Sequence, residues 1–495
     1  MKKMAFRIVA ALGLLLAISA VASAQSALPG SGWYTPTTIQ NVSSTTGNAD
    51  VTLQVYQSGT EATASQVQFQ LAQGANRVFV PGGNNANGSV DVSPSLPGGF
   101  SGSMVALSNQ PIAAIGQISN FRGAAFPTLG VPGGYASEFF RGSDAQSSTL
   151  IYPVVKNNYF GKTTIFSIQA AGADVSLTAT IKDGAGGTHT KSIALLKANR
   201  SVVIGPADFS PALGSGCTAT TQSCFGALTV VATGGNIAGV ALEYAVGVSP
   251  ATIVQSASMF GSNEADTTVN CPTIKNSYTA TQKRTTGMSV ANVTGSPVTV
   301  DITFAGSAGA GQGQTYAQNG VVIPAGGQVT FSAFTNNIGG MPAGTLGSAK
   351  VTSRTANSIV AVVNESNFGT SPVKSVTYNC MGAASATSRV AAPLVKKNLG
   401  GSTSGVTVQN VDASATNVTV TYTCNTGTFS VSAPSSLNAG AAYTFFNPSK
   451  VPDGSNCGAT IDGGGKKIIA IIQETSDFLP QNPALNTKNY EGFNL

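Results

Sequence analysis

The chain has 495 residues, with 25 Lys+Arg, 19 Asp+Glu, a single His and a formal net charge of +6. Charged residues make up 9% of it, against about 25% in an ordinary soluble domain, which excludes the basic face that a nucleic-acid module needs. Its 58 Gly and 23 Pro fall short of the roughly 25–30% share that marks low-complexity disorder, and 42% hydrophobic residues can fill real cores.

Lys2, Lys3 and Arg7 precede an apolar run over residues 8–21, and Ala22-Ser23-Ala24 supplies the small residues that a signal peptidase requires. The expectation is a cleaved signal peptide over residues 1–24, a mature chain from Gln25, and a protein that is secreted, extracellular or at the cell surface. Losing those three cations takes the formal charge from +6 to +3, so attraction to nucleic acid or anionic lipid is weak. No later stretch of about 20 apolar residues occurs, so no membrane-spanning helix is expected in the mature chain.

Beyond the leader, three anchors recur in one order. The first reads Tyr152-Pro153-Val154-Val155-Lys156-Asn157, then Cys271-Pro272-Thr273-Ile274-Lys275-Asn276, then Ala392-Pro393-Leu394-Val395-Lys396-Lys397-Asn398, with prolines 119 and 121 residues apart. The second is Ile39-Gln40-Asn41-Val42, Ile168-Gln169-Ala170, Val290-Ala291-Asn292-Val293 and Val408-Gln409-Asn410-Val411, each leading into alternating Val/Thr stretches. The third is an apolar run at residues 112–115, 237–240, 359–363 and 468–472. A fixed order of anchors at a fixed period means copies of one unit. Period-two alternation, Gly/Asn/Ser/Pro turns and the lack of a 3.6-residue apolar stripe make the units β-structure. The prediction is an all-β protein of four tandem immunoglobulin-like antiparallel β-sandwich domains, at residues 25–145, 146–265, 266–386 and 387–495. The Cys-Trp-Cys core of antibody domains is missing, so the likeness is architectural only.

Unit one departs from the rest: 11 residues separate Pro29 from Gln40, where 16 separate Pro153 from Gln169 and Pro393 from Gln409. Its first strand reads as clipped, either a shorter loop or an acceptor groove for another chain.

Six cysteines in an exported chain read as disulfides, and the repeat frame pairs Cys217 with Cys224, Cys271 with Cys380, and Cys424 with Cys457. His189, the only histidine, lies in a Gly-rich hairpin and reads as a solvated loop residue, so no Ser/His/Asp or Cys/His device is expected. Glu243, Glu365 and Glu474 recur after the third anchor, and acids repeated in three copies read as structural groups satisfying a turn. Trp33 reads as a packing or junction residue. No catalytic residue, cofactor or metal site is assigned. So little charge leaves strand edges thinly guarded, which favours self-association by strand addition.

The order Pro-apolar-apolar-Lys-Asn, Val-Gln-Asn-Val, Ala-Gly before an aromatic strand, Pro-x-Gly, an Ile-Ala-Ile run and Gln-Glu is clearest in unit four. It is carried there by Pro393, Val408-Gln409-Asn410-Val411, Ala439-Gly440, Pro452-Asp453-Gly454, Ile469-Ala470-Ile471 and Gln473-Glu474. This pattern resembles the tandem repeat of large secreted surface proteins of filamentous bacteria. The resemblance implies a structural role and no enzymatic activity. The expected function is a secreted, non-enzymatic structural or adhesive cell-surface protein, assembling with itself or with other surface proteins into a layer, fibre or matrix. The alternative is an extracellular glycan- or peptide-binding protein that uses inter-domain clefts. Intact-mass measurement of the exported protein should give a chain starting at Gln25; a mass that includes Met1 would contradict the leader assignment.

Overall fold

The computed structural model describes residues 18–20, 28, 33–44, 47–58, 65–81, 89–120, 136–142, 146–217, 221–245, 254–335, 337–369, 374–446, 448–475 and 487–495. They are all-β apart from short 3-10 turns, and form eight antiparallel sheets. In unit two the strands follow as Thr149–Lys156, Lys162–Ala171, Val175–Asp183, Thr188–Leu196, Ser201–Ile204, Phe225–Thr233, Asn236–Ala245, Val254–Ser258 and Phe260–Gly261. One sheet has the spatial order fourth-third-sixth-first-ninth, the other fifth-second-seventh-eighth. Unit three, from Thr268–Asn276 to Met381–Gly382, and unit four, from Arg389–Lys397 to Phe493–Asn494, repeat both orders. Unit one keeps the same order among its described residues: Ile18–Ala20 lies beside the sixth strand, Gly102–Ser108, in the first-strand place, and no ninth strand occurs among them. Among the described residues no helix is long and apolar enough to cross a membrane.

Local chemistry explains why the anchors recur. The third strand of unit two buries Val175, Leu177, Ala179 and Ile181 and turns the residues between them outward, as the pleat requires. Those side chains meet Phe166 and Ile168 from the opposite sheet in one core, each buried large aliphatic or aromatic group contributing about 1.5–3 kcal/mol. The proline of the first anchor sits where the pairing shifts register, between Tyr152 and Val155, Cys271 and Ile274, and Ala392 and Val395; a residue without an N–H is tolerated at such a bulge. Tyr378 and Tyr490 secure two of these bulges, each hydroxyl donating to a carbonyl, Thr273 O and Leu394 O, at 2.6 Å. The asparagine of the second anchor is buried and bonds the backbone. Asn292 Nδ2 donates to Ser296 O, Ile323 O and Pro324 O while its Oδ1 accepts from Thr294 N–H, and Asn41 and Asn410 hold their own turns in the same way.

The units close on one another. The first strand of unit two packs on the second and seventh strands of unit three, Arg284–Asn292 and Ile359–Asn367; unit three packs likewise on Thr403–Asn410 and Ile468–Thr475 of unit four; and Arg389–Lys397 of unit four packs on Thr37–Asn41 and Ile112–Asn120 of unit one. Between units one and two, Ser103 Oγ donates to Asn199 O, Ser58 and Ser201 share a hydroxyl bond, and Arg200 lies 5.2 Å over the Tyr56 ring. The eighth strands meet in the middle: Ala136–Arg141 packs against Val254–Ser258 and Lys488–Glu491, and Lys374–Asn379 packs against the same two. The contacts thus run from unit to unit and return to the first, so the described sheets close into a ring. Gly458 marks how tightly units four and one approach, because a Cβ there would stand 2.8 Å from Gly74 O.

Three disulfides join Cys217 to Cys224, Cys271 to Cys380 and Cys424 to Cys457, closing 7, 109 and 33 residues. Loop-closure entropy makes the longest the most stabilising, up to about 4.7 kcal/mol for a loop of roughly 100 residues. Chemical denaturation of Cys271→Ser/Cys380→Ser should show a loss well above that of Cys217→Ser/Cys224→Ser; equal losses would contradict the entropic account. Gly458→Val should separate units four and one, seen as faster amide exchange at Gln40 and Gly74 with the core of unit two unchanged.

Candidate functional site

The recurring acids do not satisfy turns. Each is buried and holds two cations. Glu243 Oε2 lies 2.7 Å from Lys156 Nζ and its Oε1 lies 3.1 Å from Lys162 Nζ. Glu365 bonds Lys275 at 2.7 Å, with Arg284 at 3.8 Å. Glu474 lies 3.0 Å from Lys396 and 2.7 Å from Lys488. The lysine of the first anchor therefore pairs with the acid that follows the third. The second cation comes from the start of the second strand in units two and three, and from the eighth strand in unit four. Burial alone would raise the Glu474 carboxyl; Lys396 and Lys488 together outweigh it and hold it at about 2. Glu243 and Glu365 are also held below the usual carboxylate value against burial, by their cations. Burial lowers Lys162 and Lys275, with the paired acid opposing it. Each carboxylate is thus ionised and engaged by cations, which leaves it poorly suited to act as nucleophile or proton donor.

These groups also reach the next unit. Lys162 Nζ donates to Gln255 Oε1 at 2.9 Å and to Ser375 Oγ of unit three at 3.4 Å, and Arg284 donates to Gln473 Oε1 of unit four at 3.4 Å. Gln255 Nε2 in turn donates to Val376 O and Thr377 Oγ1 across the same seam.

No such ion group occurs among the described residues of unit one. Ile39, Ile168, Val290 and Val408 pair with Ala114, Gly239, Ala361 and Ala470, and four residues further on stand Ile118, Glu243, Glu365 and Glu474. Seven residues before the second-anchor glutamine, Trp33 occupies the place of Lys162. Ile118 and Trp33 are 1% and 2% exposed, so apolar packing replaces charge there as a set, and Trp33 presents no face to a sugar.

His189 is not a solvated loop residue. It lies in the strand Thr188–Leu196 and is 7% exposed. Its Nε2 is 3.0 Å from Asp183 Oδ2 and its Nδ1 is 2.9 Å from Pro211 O, so the ring ties the hairpin to a loop that passes over the strand edge. Neither contact is a nucleophile. Among the described residues no three His, Cys, Asp or Glu side chains converge as a metal site would need.

Loops partly guard the outer edges that composition left thinly charged. Ser93 bridges Gln66 and Ser210 bridges Thr190, Gly339 lies over Ala317, and Lys450 Nζ donates to Ser430 O. In units one to three the cover falls on the first half of the fourth strand.

The seam between units three and four opens into a cleft of about 380 Å³ whose lining includes Lys275, Tyr278, Arg284, Thr407, Phe446 and Gln473. Phe446 is 48% exposed. Hydroxyls, amides and two rings dominate the lining, and its two cations belong to the Glu365 ion group. Nothing in the sequence marked this cleft, because its two sides come from segments about 120–200 positions apart.

No family model matches the chain, and no curated protein does either. Replacing Glu243 alone by Ile should cost about 3–5 kcal/mol by stranding two buried cations. The triple Lys156→Met/Lys162→Trp/Glu243→Ile, which places unit one's Trp and Ile at two of the positions and an uncharged chain at the third, should cost far less by urea denaturation. Because folding depresses the Glu474 carboxyl from 4.5 to about 2, its contribution is present above pH 4.5 and is lost as pH falls towards 2. Glu474→Gln should flatten the stability profile across that interval.

Proposed function

We propose that the protein is an exported, non-enzymatic structural or adhesive component of a cell surface, built of immunoglobulin-like sandwiches, in line with its resemblance to the repeat proteins of filamentous bacteria. The ring is the building block, and copies associate through the uncovered halves of their fourth strands. The observation that carries this reading is the chemistry of those halves. The strands Ser65–Leu71, Thr315–Ile323 and Gly427–Ser432 contain no charged residue, and matched positions in units two and three expose Leu195 and Val322 at 55% and 57%. Neutral edges with an exposed apolar side chain favour strand addition between copies. The internal ion groups support a scaffold: the repeated acids are committed to joining strands and units.

A second reading rests on the cleft between units three and four. Tyr278 and Phe446 beside Thr and Gln side chains are the chemistry that holds a neutral saccharide, apolar ring faces against aromatic rings and hydroxyls against amides.

Electron microscopy of the mature protein should show ordered layers or fibres. Leu195→Lys/Val322→Lys should abolish them at a stability cost within about 0.5 kcal/mol, as expected for surface positions. Particles that stay single at high concentration would contradict assembly. Saturable binding of a neutral oligosaccharide, lost in Phe446→Ala, would favour the second reading.

A further inference from the structure

We propose that the first-strand place of unit one is a docking slot for an extended strand of a partner polypeptide, uncharged and apolar at alternate positions. This rests on reading residues 1–24 as a leader that is removed. Ile18 pairs with Ala106 and Ala20 with Met104. In unit two Leu150 pairs with Val230 and Tyr152 with Leu228. The sixth-strand residues correspond, since Leu53 and Val55 face Ala106 and Met104 as Ala179 and Ile181 face Val230 and Leu228. Leader backbone therefore stands where the other units place their own first strand.

The mature chain cannot refill that place. In unit two, residues 157–161 connect the first strand to the second. The same connection before Trp33 leaves only Gln25, Ser26 and Ala27, about 10 Å of extended chain, which ends short of the partners of Met104 and Ala106. Removing the leader leaves backbone N–H and C=O groups along Gly102–Ser108 without a strand partner, groups that a buried position requires to be paired.

The slot also states what fits it. The strand Gly102–Ser108 has no charged residue, and Ile118 and Trp33 stand where the other units hold Glu243 and Lys162. A charge on the incoming strand would meet no opposite charge along that edge, so the occupant is uncharged. The place adjoins the seam between units one and two, where Ser103 bonds Asn199, so an incoming strand would complete a sheet edge and a unit interface together.

The test uses protein comprising residues 25–495 and a synthetic peptide with the sequence of residues 15–24. The expected result is saturable binding, lost when the peptide carries Ile18→Asp, with exchange at Met104 and Ala106, whose N–H groups face the slot, at least about tenfold slower once peptide is bound. Slowing of the same amides on concentrating the protein alone would support the proposal, with a second copy as donor. A chain kept uncut by Ala24→Trp should be protected at these amides from the start. Absence of peptide binding, or amides already protected in the dilute mature protein, would overturn the slot. An exported chain whose mass includes residues 1–24 would instead overturn the leader reading, and the proposal with it, while leaving assembly through the fourth strands untouched.

Discussion

The seventh strand of each unit is buried on both faces, and the ring follows from that. In an isolated sandwich a strand alternates between core and solvent. Here Val360 and Val362 are as buried as Ile359, Ala361 and Val363, because one set points into unit three and the other meets unit two. Ile151, Ala227 and Phe260 of unit two pack with Ala291 and Val360 of unit three in one apolar cluster. Ile469 and Ile471 join the core of unit three, and Ala113 and Ile115 join that of unit four. A face that must be covered by the next unit, repeated from unit to unit, either closes or leaves an apolar sheet in water at the last copy.

The ion groups of units two, three and four each join three strands, and those of units two and three reach across this seam. A buried pair contributes little net stability relative to apolar packing, but removing one partner is costly. Such a group therefore penalises any arrangement in which the anchor lysine and the acid of the seventh strand fail to meet. Unit one shows the other solution. Among its described residues Ile118 stands at the place of the acid and Trp33 at that of Lys162. Ile118 and Trp33 fill the space, so no charge is stranded.

Much of the fold was legible in the sequence because each anchor has a local cause: proline at a bulge, asparagine in a buried turn, alternating Val and Thr on a half-buried strand. The third anchor carried more than was read from it. A continuous apolar run such as 468–472, inside units whose other strands alternate, already signalled burial on both sides and hence the ring. The acids Glu243, Glu365 and Glu474 were visible as a repeat, but, except for Lys488, their partners stand about 80–90 positions earlier in the chain, and spacing alone does not reveal such a contact. His189 was misplaced for a related reason: its hairpin has turn composition, while the loop that buries it arrives from Pro211.

Small-angle scattering of the mature protein in dilute solution tests ring closure most directly. A closed ring should give a radius of gyration between about 23 Å, the value for a compact chain of this length, and roughly 30 Å. Four sandwiches strung in a line would give about 40 Å, and that result would contradict the account.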